Sequence, residues 1–313
     1  MELGNLTIYA DGRYCTYDEA KVGLLTHGLQ YGTGCFEGVR GFWNASEEEL
    51  YLLALEDHYE RLHQSSRILL LTIPKTVAEL SEITVELCKR NGFKSDVYIR
   101  PFAYKANEDV GVRLHGVRDA YAIIAMPFDR YFDEDRGLDC GVSSWRRVDD
   151  TMAPARGKIT GNYVNSALAK SEAIMNGYDE AIMLTAEGHV SEGSAENLFM
   201  VRRGVLYTPD PSQNILEGVT RRAVMTIAKN ELGLDVVERP IDRSELIVSD
   251  EVMITGSAAG VQWVSSVDRR PVGGGVRGPI ATRLIELYDD AVRGKLPQYA
   301  AWLTPVYGAG AKG

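Results

Sequence analysis

The chain has 313 residues, of which 45% are hydrophobic and 25% charged, enough apolar material for a large core and enough length for two domains. Lys and Arg number 34 against 44 Asp and Glu, a net charge of -10, so bulk attraction to a nucleic-acid backbone or an anionic membrane is excluded. The longest apolar stretch, Ala120–Phe128, is too short to span a bilayer and reads as a buried strand. The opening MELGNLTIYADG lacks the basic start and apolar core of a secretory segment. Cys15, Cys35, Cys88 and Cys140 lie far apart with no CxxC pair, as suits reduced thiols in the cytoplasm. The five histidines show no metal-ligand spacing, and no metal site is expected.

In chain order, LTIYA and RYCTYD flank Asp11-Gly12 and predict a hairpin. The glycine-rich HGLQYGTGCFEGVRGFW reads as a tight turn leading into a strand. Two helices follow. One carries HYERLHQSSRILL and stops before Pro74; the other has Thr76 as N-cap, Val77, Leu80, Ile83, Leu87 and Cys88 on one face, and Asn91-Gly92 as its end. VYIRPFAY and YAIIAMPF read as strands completing a first α+β domain over residues 1–130, and the charged stretch 131–136 as an interdomain loop. Residues 137–313 form the larger second domain. It opens with strand CGVSSWRRV and the loop TMAPARGKITGN, followed by a helix at about Tyr163–Asn176 that stacks Val164, Ala167, Leu168 and Met175 on its apolar face. Strands through YDEAIML, HVSEG and NLFMVRRGVLYTP, a helix over Val219–Leu232, strand DVVERP, a short helix at SELIVSD, strand EVMITG, a hairpin and a last helix near Pro279–Arg293 complete the expectation.

Several residues stand out chemically. Lys158 lies in a loop between Gly157 and Gly161, with Tyr163 five residues on; a lysine amine can form a Schiff base with a carbonyl cofactor, although most loop lysines are simply solvated. Leu216–Thr220 and Ile254–Gly260 each place glycine, backbone N–H groups and a hydroxyl where a phosphate would bind, or where ordinary capping would suffice. Glu192 and Glu196 sit between apolar strand segments, suited to a cationic ring nitrogen or, more commonly, to solvent. Arg61 lies on the ERLH helix, and Arg100 interrupts an apolar strand, which calls for an anionic partner. Gly273, Gly275 and Gly278 spell GxGxxG, but too little chain follows for a second parallel strand, so this is a loop.

The ordered series YGTGCFEGVR, ERLH, YIRPF, GKITGNY, SEGSAENLF, LEGVTRRA and ITGSAAG, from about Gly28 to Ala259, resembles the branched-chain amino acid aminotransferases. These are pyridoxal-phosphate enzymes of fold type IV, with two α+β domains, a smaller first and a larger second. The resemblance implies transamination of leucine, isoleucine and valine with 2-oxoglutarate. It makes Lys158 the catalytic lysine, Glu192 the acid at the pyridine nitrogen and Tyr163 the phenol at the 3-oxygen. Arg61, Val219, Thr220 and Ser257 would hold the phosphate. Tyr31, Phe36, Gly38, Arg40, Tyr98 and Arg100 would form the substrate site, with Phe128 and Tyr131 as further walls and Ala258 and Ala259 offering N–H groups to the α-carboxylate. The YxR pair Tyr98 and Arg100 argues against the D-amino acid and (R)-amine branches, which, with aminodeoxychorismate lyase, are the alternatives on this fold. A relative that binds the cofactor without turnover is a further one. Ser257 replaces a threonine common among relatives, and Gly260 a glutamate, which bears on substrate preference. Relatives are homodimers, some assembled into hexamers, with the site between domains.

Overall fold

The computed structural model describes residues 3–129, 131–133 and 135–308, so Glu134 of the expected loop 131–136 lies outside the described residues. The protein divides into two compact units. The first takes in the chain up to Asp129, the segment Gly157–Gly161 and the chain from Asp290 on; the second takes in the rest.

The first unit opens with β1 (Thr7–Ala10) and β2 (Arg13–Thr16), paired antiparallel around Asp11 and Gly12, both with positive φ as a tight hairpin turn requires. A short helix, α1 (His27–Tyr31), then ends on Gly32 in the left-handed conformation; the glycine-rich reading gave only a turn here. After β3 (Gly34–Phe36), β4 (Val39–Asn44) and β5 (Glu49–Leu53) come α2 (Leu55–Ile68) and α3 (Val77–Asn91), and then β6 (Val97–Lys105) and β7 (Asp119–Pro127). Helix α3 begins with a capping box between Thr76 and Glu79 and ends on left-handed Gly92. Strand β6 alternates strictly: Val97, Ile99 and Ala103 join Leu55, Tyr59, Leu62, Leu80 and Leu87 of the helices in the core, while Tyr98, Arg100, Phe102 and Tyr104 are half-buried on the opposite face. That second face carries the chemistry.

The second unit is built on a mixed sheet. Its elements are β8 (Leu138–Val142), α4 (Tyr163–Met175), β9 (Glu180–Leu184), β10 (Val190–Gly193), β11 (Asn197–Arg202), β12 (Val205–Thr208), α5 (Val219–Leu232), β13 (Val236–Glu238), α6 (Arg243–Ile247), β14 (Glu251–Gly256), β15 (Gly260–Val267), β16 (Arg270–Pro271) and α7 (Pro279–Val292), the last running on past Asp289 into the first unit. The sheet order is β10-β9-β8-β15-β14-β11-β12-β13, with β8 parallel to both neighbours. Of the GxGxxG glycines, Gly273 and Gly275 lie in a 3-10 turn that follows the two-residue β16, and Gly278 stands just before α7. No helix among the described residues is long and apolar enough to cross a membrane.

Four expectations need correction. Strand CGVSSWRRV stops at Val142, because Ser143 and Ser144 turn away to bond Glu172 through their hydroxyls and the Ser144 N–H. The inward face of α4 is not the Val164–Leu168–Met175 stripe: Val164 is 66% and Met175 86% exposed, and Ser166, Ala169 and Ala173 are buried instead. Small residues let α4 lie close on Ala181 and Met183 of β9, which the bulkier stripe would prevent. Third, Gly157–Gly161 belongs to the first unit. Finally, so does the chain from Asp290 on, which includes a further strand, β17 (Leu303–Pro305), antiparallel to β5. Arg293 anchors this return by an ion pair with Asp96 at 3.0 Å, and Glu49 accepts the Val306 and Tyr307 N–H groups at 2.9 and 2.7 Å.

Candidate active site

In the first unit, the Lys158 loop is stitched along β3. Phe36 N–H donates to the Lys158 carbonyl at 3.0 Å, Lys158 N–H donates to Ser65 Oγ at 3.1 Å, and Cys35 bridges Ile159. Thr160 Oγ1 lies 2.7 and 3.0 Å from the Gly32 and Gly34 carbonyls and accepts the Gly34 N–H at 3.1 Å. Gly161 N–H donates to Gly32 O at 3.0 Å. Gly32 has φ +66, and a Cβ on it would sit 2.7 Å from Gly161 Cα, so only glycine permits this approach. The glycines flanking the lysine thus serve a backbone-to-backbone contact.

That stitching sets the Lys158 ammonium 5.1 Å from the centre of the Phe36 ring, and the Arg100 guanidinium lies 4.5 Å from the same centre. Arg100 Nη2 donates to Tyr98 Oη at 3.0 Å, and the Tyr98 ring stands 5.2 Å from Phe128. Gly38 is needed here, since a Cβ on it would overlap the Tyr98 hydroxyl. Lys158, Phe36, Gly38, Tyr98, Arg100 and Phe128 are therefore brought together. Arg40 is turned differently: it lies over the Phe42 and Phe128 rings, pairs with Asp96 at 3.6 Å and donates to the Phe128 and Asp129 carbonyls. It braces the Phe128 segment. Tyr31 accepts the Gly111 N–H at 3.2 Å and packs edge-on to His27.

Arg61 is gripped by a residue that the sequence reading quoted without singling out. Fully buried Glu37 accepts Arg61 Nε and Nη2, and also His58 Nδ1, all at 2.7 Å. Burial alone would raise the Glu37 pKa, but the charge and hydrogen bonds of Arg61, with the bond from His58, outweigh it and hold the carboxyl well below the usual range. His58 is pushed down by its own burial, against the pull of Glu37. The signals were present: an acid inside the apolar run CFEGV, and a histidine three residues before Arg61 on the buried stripe of α2.

In the second unit, Glu192 and Glu196 are both buried, which removes the solvated alternative. Glu192 Oε1 pairs with Arg147 at 2.8 Å, while Oε2 accepts Asn197 Nδ2 at 2.9 Å and Leu216 N–H at 3.0 Å. Asn197 Nδ2 also reaches Leu216 O at 2.8 Å, tying the acid to the start of α5. There Gly218 is the N-cap without any side-chain cap, and Thr220, 3% exposed, has a hydroxyl with no hydrogen-bond partner. Val219 is buried beside it. Ser257, Ala258 and Ala259 form the half-buried turn from β14 to β15, closed by Gly260 at φ +64. Tyr163 opens α4, and Tyr131, 49% exposed, falls in this unit, whereas Phe128 belongs to the first.

Glu196 differs in kind from Glu192. Burial first and the nearby Glu180 second push its pKa up to about 8, against the Ala195 N–H and Lys170. The sign follows: between the usual carboxylate value and about 8 the folded state keeps a proton that the unfolded chain has lost, so stability falls as pH rises through that window. Glu196→Gln, neutral throughout, is expected to gain stability relative to the parent as pH rises from 5.5 to 8, by at most about 1.4 kcal/mol per pH unit. Urea midpoints of the cofactor-free protein across that range measure it; parallel curves would disprove a protonated Glu196.

The family model for amino-transferase class IV matches residues 34–267. The chain belongs to this family. It is therefore an aminotransferase of fold type IV, α+β in architecture. The chain is similar to the probable branched-chain-amino-acid aminotransferase of Aquifex aeolicus, 48% identical over 299 residues, 96% of each chain. Among solved structures, the branched-chain aminotransferase of Thermoproteus uzoniensis with norvaline superimposes with a TM-score of 0.93 at 46% identity, covering 97% of this chain and 100% of that one. The branched-chain amino acid aminotransferase of Thermobaculum terrenum in its PLP form gives 0.93 at 38% identity, covering 97% of this chain and 99% of that one. In this class IV aminotransferase, Lys158 and Arg100 about one aromatic ring, and the Glu192–Asn197 pair at the start of α5, are the two constellations that a function must use.

Proposed function

We propose that the protein transfers the amino group of leucine, isoleucine or valine to 2-oxoglutarate, with pyridoxal phosphate as its cofactor. The observation that carries this reading is the Phe36 ring with Lys158 and Arg100 beside it, 5.1 and 4.5 Å from its centre. It puts a proton-transferring amine, an apolar wall and a carboxylate-binding cation in one neighbourhood. The residues present suit the cofactor: the unpartnered Thr220 hydroxyl at an uncapped helix start fits a phosphate, and the braced Glu192 carboxylate fits a protonated ring nitrogen. When bound, pyridoxal phosphate supplies an electron sink for negative charge developing at the substrate Cα.

The chain's own residues do the rest. Lys158 Nζ takes the proton from the substrate Cα and returns it later in the cycle. Glu192, oriented by Arg147, Asn197 and the Leu216 N–H, holds the proton on the pyridine nitrogen. Arg61, oriented by Glu37, would hold the phosphate, as would Val219, Thr220 and Ser257, while Tyr163 would bond the 3-oxygen. Phe36, Phe128, Tyr31 and Tyr131 receive an aliphatic side chain; Arg100 and Tyr98 receive the second carboxylate of glutamate or 2-oxoglutarate. Arg40 keeps the Phe128 segment in place, and Ala258 and Ala259 offer N–H groups to the α-carboxylate. A homodimer working in the cytoplasm is part of the same reading.

A spectrum of the reconstituted protein tests it. A yellow band that bleaches with leucine and returns with 2-oxoglutarate is expected; a band that ignores leucine but responds to a D-amino acid or an (R)-amine would overturn the substrate assignment. Gly38→Ala probes the acidic arm separately. Its methyl group meets the outer end of Tyr98, which must shift, so stability is expected to drop by about 1–3 kcal/mol. The displaced Tyr98 would loosen Arg100, so the KM for 2-oxoglutarate should rise about tenfold while that for leucine rises less. Equal increases would count against separate recognition of the two substrates.

A further inference from the structure

Thr220 is not alone in having a buried hydroxyl without a partner. Thr255 Oγ1, on a residue 1% exposed next to the end of β14, has none either. The two meet at Asn197. Thr255 is directly opposite Asn197 in the antiparallel β11–β14 ladder, so both side chains stand on the same face of the sheet, with Cβ atoms about 4.5–5.5 Å apart. From the other side Asn197 abuts Gly218, where a Cβ would overlap its Oδ1, and its Nδ2 bonds Leu216 O. Thr220 follows Gly218 by two residues in the first turn of α5. Both hydroxyls therefore border the spot that Asn197 marks at the uncapped helix start.

A buried hydroxyl is tolerated without a protein partner when a ligand or water completes it. The start of α5 offers N–H donors, and a phosphate monoester brings oxygens that accept several hydrogen bonds at once. We infer that Thr255 is a further phosphate ligand, donating its hydroxyl, together with that of Thr220, to the phosphate oxygens of the cofactor. The assignment rests on the functional reading above and adds a residue to it. Ser257 lies two residues on, at the start of the turn, so the end of β14 and the turn after it would contribute one hydroxyl each.

The test uses the full-length, cofactor-free protein and the variants Thr255→Val and Thr255→Ser. Valine keeps the shape and removes only the hydroxyl. Dissociation constants are measured for pyridoxal phosphate by dialysis and for inorganic phosphate by the shift in melting temperature. Thr255→Val is expected to weaken both about tenfold, with pyridoxal lacking the phosphate unaffected and Thr255→Ser within about threefold of the parent. Without ligand, Thr255→Val should melt no lower than the parent, because the lost hydroxyl has no partner in the fold. Unchanged binding of pyridoxal phosphate and inorganic phosphate overturns the inference, and so does a variant destabilised as much without ligand as with it. If the parent failed to bind pyridoxal phosphate, the functional reading would fall, while the inorganic phosphate measurement would still decide the role of Thr255.

Discussion

Lys158→Ala is expected to lower turnover at least about 1000-fold and to prevent the yellow band from forming on reconstitution, while leaving the melting curve of the cofactor-free protein nearly in place. The two halves of this expectation have separate physical grounds. The catalytic loss follows from removing the amine that moves the proton at the substrate Cα. The unchanged fold follows from how the loop is held: the Lys158 backbone N–H and carbonyl bond Ser65 and Phe36, and Thr160 and Gly161 bond the Gly32–Gly34 segment. None of those bonds uses the lysine side chain. Absorbance and a leucine-dependent assay on one preparation read both halves. A variant that kept the band would show that another group carries the cofactor.

Glu37→Ala should have the largest effect on stability. It strips the carboxylate from a largely buried guanidinium and from a buried imidazole at one stroke, and removing one partner of a buried ion pair costs about 3–5 kcal/mol. Glu37→Gln keeps the shape and one acceptor, and should cost less. The pH dependence has a definite sign. The carboxyl titrates well below its usual value in the folded state, so its contribution is fully present above the usual carboxylate range and is lost as the pH falls. The parent should therefore converge toward Glu37→Gln in acid and exceed it at neutral pH. Urea midpoints at pH 4 and pH 7 check this; a difference that did not shrink in acid would mean that the ion pair is not what Glu37 contributes.

Much of this was legible in the chain because it is local. Asp11-Gly12 fixes a hairpin, Thr76 and Gly92 bound a helix, and the helix expected over Val219–Leu232 has those bounds. The motif order was likewise enough to reach the family. What escaped depends on partners distant in sequence. Periodicity located the apolar stripe of α4 but not the direction it faces, which the small side chains toward β9 decide. Glu37 reads as one more acid until α2 brings His58 and Arg61 to it. The orphaned hydroxyl of Thr255 is invisible without the ladder that sets it against Asn197. β17 is three residues long and becomes a strand only because β5 has an open edge to receive it.

That last pairing has a consequence for how the protein is made. Most of the first unit precedes the second in the chain, yet β17 and the residues that donate to Glu49 follow it, so they are synthesised only after the second unit. Until then β5 presents unsatisfied N–H and C=O groups along its rim, and Glu49 is buried in the finished unit without its final donors in place. The nascent first unit can collapse but cannot close, and a strand edge left open while the second unit is being made is a template for pairing with another chain. Ribosome-bound chains halted near residue 295 should thus be markedly more prone to self-association than chains long enough for β17 to have emerged.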